Sequence, residues 1–122
     1  MRIIISVFLA VLMSTPAMAE MSASFEWGPT TKCFDSKSPP FSVKNVPEGT
    51  KRLSFSMTDL NAPDYRHGGG KVDYAGKSAI PYGAFRYKGP CPPAPHKYRF
   101  TVKALDAKGK EIGKTTATRV FP

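Results

Sequence analysis

The sequence of 122 residues is short of the features from which enzymes and membrane proteins are usually built. It contains two cysteines, two histidines and one tryptophan, and its nine acidic residues are outnumbered by eighteen basic ones. No second cysteine lies at zinc-ligand spacing from Cys33 or Cys91, which argues against a thiolate metal site. Neither G-x-S-x-G nor H-E-x-x-H occurs, so the common signatures of a nucleophile elbow and a zinc helix are missing. Pro or Gly interrupts nearly every window of a dozen residues, leaving no room for an amphipathic helix of three turns. Beyond position 19 there is no apolar run of the roughly 18 residues that a membrane span needs. These absences point away from an enzyme, a metal or cofactor protein and a transmembrane protein.

What is present begins with a leader. Residues 1–19, MRIIISVFLAVLMSTPAMA, combine a basic start, an apolar run from Ile3 to Met13 and the A-x-A site Ala17-Met18-Ala19. The sequence therefore predicts a signal peptide over 1–19 and one exported domain over 20–122, periplasmic or secreted. A retained anchor is the competing reading. Removing 19 of 122 residues leaves 103, of which about 35% are apolar, with 17 basic and 9 acidic residues. Eleven of the 12 prolines and all 10 glycines lie in that part. So small a chain holds one domain.

In an oxidising compartment, two thiols in a small domain usually pair, so Cys33 and Cys91 are expected to form a disulfide, with free thiols or a metal pair as the alternatives. Closing a loop of 58 residues is expected to stabilise the fold by about 4 kcal/mol. The excess of positive charge biases the protein toward anionic partners, among them lipid head groups at a membrane surface. Export makes nucleic acid a poor candidate. The cations are nevertheless scattered along the chain, with no run longer than two, which reads as a solvated surface rather than a stripe.

Period-2 alternation is the dominant pattern. In residues 51–58, Leu53, Phe55 and Met57 alternate with Ser54, Ser56 and Thr58; in residues 98–105, Tyr98, Phe100, Val102 and Ala104 alternate with Arg99, Thr101 and Lys103. Residues 22–27 alternate in the same way. Shorter strands are predicted at 41–46, 72–74, 84–87 and 115–121, with a hairpin turn over Asp106–Lys110. Six or seven short strands imply an antiparallel β-sandwich.

Two segments carry candidate chemistry. DLNAPDYRHGGG, residues 59–70, places Asp59, Asn61, Asp64 and His67 at a strand exit, where functional groups often lie. Its glycines could let the backbone approach an anion; the competing reading is an Asx turn followed by a flexible hairpin tip. GPCPPAPHKYRF, residues 89–100, has four prolines within six residues, which form a rigid wall. The wall delivers His96 and Tyr98 to one strand face, either as a pocket floor or as a cap on the core edge.

These stretches resemble the phosphatidylethanolamine-binding protein family, also called Raf kinase inhibitor-like proteins. The resemblance covers SPPFSVKNVPEGTKRLSFSMTDLNAP at 38–63 and GPCPPAPHKYRFTVKALDA at 89–107. It implies an all-β, Greek-key antiparallel β-sandwich with a small anion pocket. Carried onto this chain, the ligand-binding positions are Asp59, Asn61, Pro63, His67, Gly89, Pro90, His96 and Tyr98. The chain departs from the family pattern in having Asn61 for the second acid of D-P-D-A-P, Leu60 for its first proline, and Gly68 after His67 where tryptophan is usual. The expected function is non-enzymatic binding of a small anion or phospholipid head group. The alternative is a protein-interaction module of the cell envelope, similar to a protease inhibitor.

Overall fold

A computed structural model describes residues 3–7 and 20–122. Most of the predicted leader, 1–19, lies outside the described residues. Among the described residues there is no helix long and apolar enough to cross a membrane.

Seven strands follow one another: β1 Ser22–Phe25, β2 Phe41–Lys44, β3 Arg52–Asp59, β4 Gly69–Asp73, β5 Ala79–Ile80, β6 His96–Leu105 and β7 Glu111–Phe121. They form two antiparallel sheets, one ordered β1-β2-β5 and the other β4-β3-β6-β7. Period-2 alternation decides which side chains go inward. Leu53, Phe55 and Met57 of β3 and Tyr98, Phe100, Val102 and Ala104 of β6 are buried. They meet Phe25, Phe41, Val43 and Ile80 of the smaller sheet.

Few aliphatic residues are available, so rings do the packing. Phe41 lies 4.8 Å from Phe55 and 4.9 Å from Phe100, and Phe25 lies 5.0 Å from Phe100. The edges β1 and β7 are tied by Trp27, whose indole N–H donates to the Val120 carbonyl at 2.8 Å. The Asp106–Lys110 turn forms as predicted: its Asp106 carboxylate accepts from the amides of Lys108 and Lys110, both at 2.9 Å. Cys33 and Cys91 are joined in a disulfide.

Two predicted details are corrected. Residues 84–87 form no strand; Arg86 makes a single bridge to Lys37, while the strand paired with β2 is the short β5. The glycine run is not a hairpin tip or an anion nest either. Gly69 and Gly70 lie inside β4, opposite Ser56 and Phe55. A Cβ on Gly69 would run into the Phe55 carbonyl oxygen, and one on Gly70 would press on the Phe85 ring. The close backbone of β3 at Gly69 and the Phe85 side chain at Gly70, rather than loop freedom, are what require glycine at these two positions.

Candidate ligand pocket

At one end of the larger sheet the inward row of β3 finishes in a carboxylate. Asp59 continues the face of Leu53, Phe55 and Met57 and is only 4% exposed. Its Oδ1 accepts from the amides of Asn61 at 2.9 Å and Ala62 at 3.2 Å, so the chain turns on its own aspartate. The turn is fastened to β6 twice: the Leu60 amide donates to the Lys97 carbonyl, and the Asn61 Oδ1 accepts from the Lys97 amide, both at 2.8 Å.

Strand register then brings the second group into place. Asp59 is opposite Tyr98, and His96 precedes Tyr98 by two residues on the same face. The His96 Nδ1 donates to Asp59 Oδ2 at 2.7 Å. The Asp59 side chain retains 6% of its exposure and the His96 side chain 18%, so the imidazole is the accessible half of the pair. Because the carboxylate accepts from Nδ1–H, Nε2 is the ring nitrogen left for a ligand.

The second histidine is held in the same sense. His67, buried in the loop before β4, donates from Nδ1 to the Lys88 carbonyl at 2.6 Å, while the Lys88 amide donates back to the His67 carbonyl at 2.8 Å. Tyr98 packs edge-on against His67 at 5.5 Å, and Tyr65 lies 4.6 Å from it. Two imidazoles thus share a cavity with their Nδ1 atoms turned to protein acceptors.

That cavity has a volume of about 220 Å³, smaller than drug-sized sites. Asp59, His67, His96 and Tyr98 line it together with Phe34, Tyr65, Cys91 and the prolines 92 and 93. A larger groove of about 660 Å³ runs past Glu20, Asn45, Pro47 and Lys114, but it contains no imidazole or phenol. Chemistry rather than size therefore distinguishes the smaller cavity. Among the described residues there is no group of three His, Cys, Asp or Glu side chains placed to hold a metal ion.

Charge in the pocket is set by opposing effects. Burial raises the Asp59 carboxyl, but hydrogen bonds from His96 and from the Asn61 and Ala62 amides outweigh it and hold the group below its ordinary value. Burial, reinforced by the Asp59 carboxylate, pushes the Tyr98 phenol up to about 12. Tyr98 consequently stays a protonated hydroxyl. Against two of the lining rings, the Lys88 ammonium lies 4.8 Å from the ring centres of both Phe34 and Tyr65, a cation held over two aromatic faces.

Of the eight residues expected from sequence, Asp59, His67, His96 and Tyr98 line the cavity; Asn61, Pro63, Gly89 and Pro90 do not. Asn61 braces the turn. Gly89 and Pro90 fix the wall: the Pro90 carbonyl accepts from the Phe34 amide at 3.3 Å, and a Cβ on Gly89 would strike the Asp35 backbone. The residues that sequence reading missed are Phe34, Ala62, Tyr65 and Lys88. Phe34 alone had a signal, since it follows Cys33 and the disulfide pins it beside the proline wall.

No family model matches the chain, and no curated protein matches it. Among solved structures, E. coli YbcL, described as a new member of the mammalian PEBP family, superposes with a TM-score of 0.55 at 20% identity, over 85% of this chain and 96% of that one. CT736 of Chlamydia trachomatis, described as a phosphatidylethanolamine-binding protein homolog, gives 0.49 at 19% identity, over 82% and 97%. The fold is that of the phosphatidylethanolamine-binding protein family. The motifs at 38–63 and 89–107 fall on this fold at β2, β3 and β6 and supply Asp59, His96 and Tyr98 to the pocket, whereas Phe34, Tyr65 and His67 lie outside them.

Proposed function

We propose that this protein is a non-enzymatic, exported binding protein that holds a small anion or phospholipid head group between His96, His67 and Tyr98. The observation that carries the reading is the His96–Asp59 pair, 2.7 Å apart and lining a cavity too small for a large ligand. Asp59 holds the imidazole by Nδ1, which leaves Nε2 as the ring nitrogen offered to a ligand. The Tyr98 hydroxyl adds a neutral donor. Lys88, over the Phe34 and Tyr65 rings that line the cavity, supplies a positive charge that would attract a phosphate. Binding is favoured over catalysis because the lining provides no activated nucleophile: Cys91 is oxidised and Tyr98 keeps its proton.

The leader supports export, and the fold shared with YbcL supports a ligand-binding role. The test is native mass spectrometry of the protein purified from its own host's envelope. A retained phospholipid or small anion that is lost in His96→Ala is the expected result. Retention by that variant would place the ligand elsewhere. A second reading, an envelope-protein partner, is favoured by one observation: Phe34, Leu60 and Tyr65 stand 45%, 36% and 38% exposed. The open cavity beside them puts the ligand reading first, because a vestigial pocket would be filled by its own side chains.

A further inference from the structure

Some of the cations that look scattered along the chain are collected by strand register onto one surface. On the outer face of the larger sheet, β6 presents Lys97, Arg99, Thr101 and Lys103, between the buried residues Tyr98, Phe100 and Val102. Lys114 of β7 is directly opposite Lys103, and on the other side Lys103 is opposite Ser54, which is opposite Lys71 of β4. Lys71, Ser54, Lys103 and Lys114 thus form one row across four strands. The next row is Gly69, Ser56, Thr101 and Thr116, and beyond it Thr58, Arg99 and Thr118 adjoin.

Strand geometry gives the spacing. Lys97 and Arg99 are about 7 Å apart along β6, Lys103 and Lys114 about 5 Å apart across the ladder, and Lys71 about 10 Å from Lys103. Like charges directly opposite one another destabilise a sheet, so Lys114, which faces Lys103, gains from an anion that covers it. Of the acidic side chains on this face, Glu111 lies 3.6 Å from Lys103 and Asp73 lies 3.8 Å from Arg52. Lys71, Lys97, Arg99 and Lys114 have no carboxylate within ion-pair distance among the described residues.

We infer that this face docks a linear acidic polysaccharide. Six hydroxyl side chains, on Ser54, Ser56, Thr58, Thr101, Thr116 and Thr118, lie among the cations and match the hydrogen-bonding groups of sugar rings. The face has no aromatic side chain, which disfavours base stacking with a single-stranded nucleic acid. Its one exposed large apolar residue is Val120, which disfavours insertion into a bilayer. The partner is a chain of uronates or sulfated sugars lying along β6.

The test uses heparin as probe and two triple variants of equal net charge. Arg99→Gln, Lys103→Gln and Lys114→Gln remove cations from the face; Lys32→Gln, Lys44→Gln and Lys77→Gln remove them elsewhere. The first variant is expected to bind heparin at least about tenfold more weakly than the second, with a salt dependence shallower by roughly one unit per lost contact. His96→Ala is expected to bind heparin like the wild type, which separates this surface from the pocket. Equal losses from the two triple variants would reduce the effect to net charge and overturn the inference. So would face-dependent binding to phosphatidylglycerol vesicles without binding to heparin.

Discussion

In the two proposals, the faces of β6 would meet an anion in opposite ways. Inward, His96 and Tyr98 stand at the end of a row of buried side chains, with one carboxylate fixing the imidazole and a wall of prolines limiting access. Outward, Lys97, Arg99 and Lys103 stand in solvent with hydroxyls between them. The inner site has few donors, held rigidly, so it would select by size and proton placement. The outer face has permanent charges on mobile stems and would select by charge density, so salt should weaken it. One strand carries both because its side chains alternate.

The comparison can be broken most severely at adjacent residues of β6. Phe100→Ala removes a fully buried ring and is expected to cost about 3–5 kcal/mol, whereas Thr101→Ala on the outer face is expected to stay within about 0.5 kcal/mol. Urea unfolding of the two variants checks this, and similar losses would mean that the faces are not distinct. Next in size is the disulfide, which closes the pocket wall across a separation of 58 residues. Reduction is expected to cost about 4 kcal/mol and lower the melting temperature by more than about 15 °C in calorimetry.

A smaller effect sharpens the account of the pocket. Asp59→Asn is expected to cost about 1–3 kcal/mol near neutral pH, since the His96 and amide donors lose a charged acceptor. The folded-state pKa of Asp59 lies below the ordinary 3.8, so its contribution is complete above that value and is lost as pH falls through the lower folded one. The gap between wild type and variant should therefore close only in acid, and denaturation curves taken down to about pH 2 follow it. The smallest effect concerns Phe34, a bulky residue held at φ 55°. Phe34→Gly relieves that strain, so stability should change by no more than about 1 kcal/mol while ligand affinity falls, because the wall and the seat of Lys88 are lost.

Much of this was legible in the sequence, and what escaped has physical causes. β3, β6 and the final hairpin were readable because apolar and polar residues alternate over long stretches. The two-residue β5 carries no periodicity, and 84–87 has the composition of a strand but bends through Gly83 and pairs only at Arg86. The glycines at 69–70 looked like loop residues because the carbonyl and ring that exclude a side chain there belong to Phe55 and Phe85, distant in the chain. In the pocket, Asp59, His96 and Tyr98 were visible through strand register and the family resemblance. Tyr65 and Lys88 were not, since their place depends on how two loops fold over His67. The charged row of Lys71, Lys103 and Lys114 was invisible for the same reason: three strands contribute one residue each.

The central claim is that the inward end of β6, not the general positive charge, holds the ligand. Calorimetric titration of phosphoethanolamine into wild type, His96→Ala and Lys97→Ala tests it on adjacent residues of one strand. Binding abolished in His96→Ala and unchanged in Lys97→Ala is the expected result. Unchanged affinity in His96→Ala would contradict the account.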